Sequence, residues 1–268
     1  MCGNRGLMLL PMVWGDEVRT RVGLLLLGLS SSSVAFDGQP LRYEIDWGPV
    51  TLADATVELL DSGDIRSVSA DVASRGVGAW FSDFQSTLEI MRTSDGMQIL
   101  NGGSSWDDAL SNITVIWLPT EPKPSVDYYR SKPRDYEITP VPEESIADTV
   151  DPFTPVFDIG RRLDETERCE GSYRIFDGIR RYDLEIQDGG LVALTSGDPA
   201  NFSGPARRCD ITLTRIGGFS TKTGMFRFGE SEITRTLFLG QIRGYWLPVR
   251  FEVSAPIGTA VARLALGN

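Results

Sequence analysis

The chain contains no histidine among its 268 residues, and this absence removes several classes of active site. Histidine is the usual base beside serine and cysteine nucleophiles, and it is the commonest ligand of zinc, copper and non-haem iron. Ser-His-Asp catalysis, Cys-His catalysis and the H-E-x-x-H zinc motif are therefore excluded. We predict no catalytic residues, no metal site and no cofactor.

Positive charge is scarce as well, with 26 Lys and Arg residues against 37 Asp and Glu residues and a net charge of −11. Nucleic acids and anionic membranes are bound through basic surfaces that neutralise phosphates. This balance argues against both partners. The sequence also lacks an apolar run of about 20 residues, the length needed to cross a bilayer as a helix, so no membrane span is predicted.

The N-terminal region has the features of an export signal. Arg19 and Arg21 precede an apolar run over 22–29, and small residues follow up to Ala35. This order is typical of a secretory signal peptide, and we predict one over residues 1–35; the alternative is a short buried helix. Because acidic residues lie where a signal peptide is normally basic, we expect translation to start downstream, near Val18.

Cysteine is also rare, with three residues in the chain. The predicted mature part retains two of them, Cys169 and Cys209, and an even number in an exported chain favours a disulfide. The alternative is a pair of free buried thiols.

Alternating patterns, rather than helical ones, dominate residues 36–268. Leu41, Tyr43, Ile45 and Trp47 alternate with polar residues, which is typical of a strand with one buried face. About a dozen such segments occur in total, among them Ile65–Ser74 and 224–229. They are separated by glycine and proline turns and not by helices, so we expect an all-β fold with an antiparallel sheet. A proline-rich connection at about 119–155 either divides two β halves or crosses a single domain, which is the organisation we predict for 36–268.

Two local signals are more specific. Asp151 followed by Pro152 predicts the start of one short helix, over about 152–163. Asp177 and Gly178 separate two alternating segments and predict a two-residue hairpin turn of type I′. Asp before Gly in such a turn is explained by its tolerance of positive φ, so we interpret Asp177 as structural and not catalytic.

The second half of the chain carries a succession of short motifs. They are Asp151-Pro152-Phe153-Thr154, the hairpin from Phe176 to Leu184, Ser203-Gly204-Pro205-Ala206 before Cys209, Gly218-Phe219 and Leu247-Pro248-Val249-Arg250. With the strand from Tyr43 to Gly48, this order resembles the exported bacterial family called domain of unknown function 3108. The resemblance implies a periplasmic protein of the cell envelope, shaped as a curved sheet or half-barrel similar to lipoprotein carriers, without established catalytic residues.

Aromatic residues are the candidate ligand-lining groups. Seven of them could line a cavity on the concave face of such a sheet: Trp47, Trp80, Phe81, Phe84, Trp106, Trp117 and Trp246. Aromatic residues in strands are usually core, and we select Trp47, Trp80, Phe81, Trp117 and Trp246 as the lining residues. Three arginine pairs (Arg161-Arg162, Arg180-Arg181 and Arg207-Arg208) could converge on an anion, or lie separately in solvent.

These observations predict a function without catalysis. We expect binding of an apolar or amphipathic ligand, such as a lipid or a lipoprotein acyl chain, on the concave face. The alternative is a structural or protein-interaction component of the envelope. A hydrolase that uses two carboxylates without histidine is the third possibility.

Overall fold

A computed structural model describes residues 39–61, 65–81, 83–134, 136–221 and 233–266. The predicted signal peptide over 1–35 and a strand expected at 224–229 lie outside these described residues.

One antiparallel sheet of thirteen strands forms the described part of the chain, which confirms the predicted all-β fold. The strands are β1 (Leu41–Trp47), β2 (Val50–Asp61), β3 (Ile65–Ser74), β4 (Phe84–Thr93), β5 (Gln98–Trp106), β6 (Ala109–Trp117), β7 (Ser125–Arg130), β8 (Gly171–Phe176), β9 (Arg181–Leu194), β10 (Gly204–Gly217), β11 (Thr234–Ile242), β12 (Tyr245–Ala255) and β13 (Gly258–Ala265). The helices are α1 (Val77–Phe81), a single turn of five residues, and α2 (Thr154–Thr166); a 3-10 turn spans Glu143–Ser145.

The strand order is β7-β6-β5-β4-β3-β2-β1-β13-β12-β11-β10-β9-β8. Strands β1 to β7 form one meander and β8 to β13 form a second, because each strand pairs with its neighbours in sequence. The first and last strands then join the two meanders, and this ladder sets Tyr43 opposite Leu264.

The sheet curves strongly, because residues near its two ends meet on one face. Phe176, at the end of β8, packs in a buried cluster with Ile90, Leu100 and Val115 of β4, β5 and β6. A methyl group added to Gly178, in the turn after β8, would overlap Ile113 of β6. We call this concave side the inner face. The sheet does not close into a barrel, since β7 and β8 do not pair with each other.

Two segments cover parts of the inner face. Helix α2 buries Ile159 and Leu163 against Ile186, Leu237 and Leu239 of the second meander. The connection between β7 and α2 covers the first meander, where its half-buried side chains at 141, 146 and 153 pack against β4, β5 and β6. Apolar residues at every second position of these strands supply the matching surface.

Helix α2 begins later than the Asp-Pro signal predicted, at Thr154 rather than Pro152, and ends at Thr166 rather than at 163. The N-cap residue is Phe153 rather than Asp151. The Oδ1 atom of Asp151 nevertheless accepts hydrogen bonds from the backbone N–H groups of Phe153 (2.8 Å) and Thr154 (3.0 Å) at the start of the helix. Pro155 occupies the first turn, where a missing N–H costs nothing. Both Pro152 and Pro155 could occupy the first turn of a helix, and in the structure Pro155 does.

The hairpin between β8 and β9 also differs by one residue from its prediction. The backbone N–H of Asp177 donates to the carbonyl oxygen of Arg180 at 3.1 Å, so the two central residues are Gly178 and Ile179. Gly178 has φ +88°, and glycine at the first central position is typical of a type II′ turn rather than type I′. Strand β7, Ser125–Arg130, was not predicted within the proline-rich connection.

Candidate functional site

The middle of the inner face carries an apolar strip. Its residues, called here the central strip, are Ile45, Trp47, Ala53, Ala55, Val72, Val253, Ala260 and Ala262. Cross-strand register brings them together, because Ile45 lies opposite both Ala53 and Ala262, and Trp47 lies opposite Ala260. Small and β-branched side chains at alternate positions of β1, β2, β3, β12 and β13 make this surface continuous.

Neither covering segment buries the central strip. Its side chains are half-buried, apart from the buried Ala53. None of them belongs to the three clusters of buried residues found in the described ranges. The strip therefore lies between the region beneath α2 and the region beneath the connection before α2.

A row of small side chains extends the strip across the first meander. Val72 lies opposite Ser86, which lies opposite Ser104, which lies opposite Ser111. Ser104 and Ser111 share a hydrogen bond of 2.8 Å between their hydroxyl groups, so their polar atoms are satisfied. This row leaves more space on the inner face than the adjacent large residues on β4, β5 and β6.

Two aromatic rings border the turn end of this row. The ring centroids of Phe84 and Trp106 lie 5.4 Å apart, and Trp106 is 56% exposed. Both residues were among the seven aromatic candidates of the sequence, although neither was selected among the five predicted lining residues. They lie directly opposite each other on β4 and β5, so their side chains share one face.

The five predicted lining residues occupy separate places. Trp47 is half-buried in the central strip, whereas Trp117 is 9% exposed in the cluster beneath the connection. Trp246 packs against the cluster beneath α2, and Trp80 on α1 is 86% exposed. The backbone of Phe81 ends α1, but its side chain lies outside the described part. The structure thus brings only Trp47 to the strip, and Trp117 and Trp246 contribute to the covered regions on either side.

The predicted disulfide between Cys169 and Cys209 is present and lies beneath α2. Next to it, Asp188 accepts hydrogen bonds from Nε and Nη2 of Arg207, both at 2.5 Å. The hydrogen bond from Arg207 holds the pKa of the Asp188 carboxyl below its ordinary value. This group of residues links the segment before β8 to β9 and β10 under the helix.

The three arginine pairs do not converge, since each engages different groups. Arg161 pairs with Glu165 at 2.8 Å on the exposed side of α2. Arg181 is buried and donates to the carbonyl oxygen of Ser145 at 2.8 Å. Arg207 is bound to Asp188 as described above, so the pairs form no common anion site.

Each meander carries a tyrosine whose hydroxyl group is removed from water, Tyr43 on β1 and Tyr182 on β9. Burial raises the pKa of Tyr43 and of Tyr182 well above the ordinary value of a phenol. The Tyr43 hydroxyl donates to the carbonyl oxygen of Pro248 at 2.8 Å and so links β1 to β12 beside the strip. Among the described residues, no group of three or more His, Cys, Asp and Glu side chains could hold a metal ion.

Comparisons with known proteins add no assignment. No family model, no curated protein and no solved structure matches the chain. Within the described ranges, no helix has the length and apolar character that crossing a membrane requires.

Proposed function

We propose that the protein binds an apolar or amphipathic ligand, with an acyl chain lying along the central strip, and that it does so without catalysis. The observation that carries this proposal is the half-buried apolar strip between two covered regions of the inner face. The proposal includes export to the periplasm, which rests on the predicted signal peptide, and membership of the domain of unknown function 3108 family, which rests on the sequence resemblance.

The chemistry of the strip favours a hydrocarbon. Its eight side chains carry no charged group, and alanine at four of the positions leaves room for a chain to lie close to the backbone. Burial of each methylene group contributes about 0.8 kcal/mol. Eight methylene groups in contact with the strip would therefore supply roughly 6 kcal/mol before the cost of ordering the chain.

A fluorescent fatty acid tests the proposal directly. The probe is 11-(dansylamino)undecanoic acid, whose emission rises and shifts to shorter wavelength when it leaves water. The test variant is Ala55→Trp, which fills the strip. The matched control is Ala73→Trp, because Ala73 lies on the neighbouring strand β3, is exposed and alternates to the outer face.

We expect the wild-type protein and Ala73→Trp to bind the probe with equal affinity, and Ala55→Trp to bind at least tenfold more weakly. Circular dichroism of both variants checks that the sheet is intact. Equal binding by the two variants, or no binding by the wild-type protein, would contradict the proposal.

A second candidate function is protein interaction in the cell envelope. It is favoured by Trp80, which is 86% exposed on α1, since tryptophan is enriched in interaction surfaces relative to the rest of the protein surface. The probe measurement separates the two candidates, because an interaction surface around Trp80 does not require the central strip to bind a fatty acid.

A further inference from the structure

The ladder between β12 and β13 stops at a pair of arginines. Arg250 and Arg263 are directly opposite, and they are the last paired residues at this end. Beyond them, the connection between β9 and β10 takes the place of β12: the backbone N–H of Phe202 donates to Leu264 O at 3.2 Å, and that of Leu266 donates to Ala200 O at 2.6 Å. A cleft forms where β13 leaves β12.

This cleft lies on the outer face, away from the central strip. Phe251 packs against the cluster beneath α2 on the inner face, so its neighbours Arg250 and Glu252 point outward. A cavity of about 160 Å³ is lined by both arginines with Ser196 and Asn201. A second cavity of about 400 Å³ also has Arg250 and Arg263 in its wall.

The two guanidinium groups are held in place by one carboxylate each. Arg263 Nη1 lies 2.8 Å from Asp46 Oδ2, and Arg250 Nη2 lies 2.5 Å from Glu252 Oε1. All four side chains are half-buried or more, with exposures between 21% and 29%. Opposed like charges on neighbouring strands are unfavourable, and these carboxylates offset part of that repulsion.

Hydrogen-bonding capacity remains in the cleft. The Nε atom of Arg250 is buried and has no hydrogen-bond partner within the described residues. A guanidinium group presents five N–H donors in a planar fork, so one carboxylate leaves most of them available. Ser196 and Asn201 add a hydroxyl and an amide to the same wall.

We propose that this cleft binds a phosphate group between Arg250 and Arg263. A phosphate has enough oxygen atoms to accept from both forks and from the neighbouring side chains at once, and its charge relieves the repulsion between the two arginines. The apolar side chains of Leu194, Phe202 and Val249 form another part of the wall of the cavity. The phosphate could belong to free inorganic phosphate or to the headgroup of a lipid.

Titration calorimetry with inorganic phosphate and with dihexanoyl phosphatidic acid, at constant ionic strength, tests the site and separates the two sources. The variants are Arg263→Gln and the double variant Asp46→Asn/Arg263→Gln, which leaves no unpaired carboxylate behind. Arg75→Gln is the matched control, because Arg75 is an exposed arginine paired with Asp54 elsewhere.

Loss of one charge-assisted contact is expected to weaken phosphate binding by about ten- to hundredfold in both Arg263 variants. Arg75→Gln should bind as the wild-type protein does. The two probes are compared in Ala55→Trp, in which the central strip is filled and cannot bind the acyl chains. There, tighter binding of the lipid phosphate than of inorganic phosphate assigns the headgroup as the source, and equal or weaker binding assigns free phosphate. Unchanged binding in the double variant, an equal loss in Arg75→Gln, or no binding of either probe would overturn the proposal. None of these outcomes depends on the fatty-acid measurement at the central strip.

Discussion

Reduction of the disulfide between Cys169 and Cys209 gives a quantitative test of how the second meander is stabilised. The bond joins the segment before β8 to the middle of β10, with a sequence separation of 40 residues. Both cysteines are fully buried with Ile159 and Leu163 of α2. The buried cluster beneath the helix therefore contains the disulfide as well as apolar side chains.

The expected size of the effect follows from the length of the closed loop. In the chain-entropy model, a loop of 40 residues corresponds to about 4 kcal/mol of the free energy of unfolding at 25 °C. With a urea dependence of about 2 kcal/mol per molar, this loss lowers the unfolding midpoint by about 2 M. The reduced chain also unfolds to a more expanded state, so its urea dependence should increase slightly.

Urea unfolding followed by circular dichroism, with and without a phosphine reductant, measures this loss. All samples carry Cys2→Ser, which removes the third cysteine from thiol exchange. Mass spectrometry of alkylated samples confirms how many thiols are free. If reduction lowers the free energy of unfolding by less than about 1 kcal/mol, the reasoning is refuted. The disulfide would then not restrict the denatured chain as the chain-entropy model assumes.

Two further predictions concern charge and curvature. Because the hydrogen bond from Arg207 lowers the pKa of Asp188, its stabilisation is present above the ordinary pKa of about 4 and is lost as the pH falls further through the lowered value. Asp188→Asn should lower the free energy of unfolding by about 3 kcal/mol at pH 7 and reduce the loss of stability below pH 4, both measured from urea midpoints. An unchanged pH dependence of stability below pH 4 would contradict the assignment of this loss to Asp188. Gly178→Ala should destabilise by about 2–4 kcal/mol through positive φ and overlap with Ile113, and Ile113→Val should recover part of it in the same background. A double variant no more stable than Gly178→Ala would show that the turn after β8 does not contact β6.

The strands could be predicted largely from local patterns. The bounds of β1 and of β3, Leu41–Trp47 and Ile65–Ser74, were predicted correctly because alternation and flanking turn residues mark both ends. Strand β7 was missed because the prolines around it dominate the local composition. The start of α2 was placed too early because Asp151-Pro152 and Pro155 both fit a helix start, and only packing beneath the helix decides between them.

The candidate site was less accessible to sequence reasoning. The prediction selected Trp and Phe residues because they are large and apolar. Half of the central strip consists of alanines, such as Ala55 and Ala262, and their role depends on which strands become neighbours. The pairing of β1 with β13 connects residues more than 200 positions apart, and no local pattern encodes it. The outer cleft likewise depends on the connection at 200–202 reaching β13.

The joining of two meanders through β1 and β13 has a consequence for the order of folding. Within each meander, every strand pairs with the one before it, so the contacts are local and hairpins can form early. The ladder between Leu41–Trp47 and Gly258–Ala265 is different, because it closes almost the entire described chain. Closing so long a loop carries a large entropic cost, so this ladder should form late, after both meanders exist. Refolding would then show two phases, and the slower phase would be the one in which the inner face is completed.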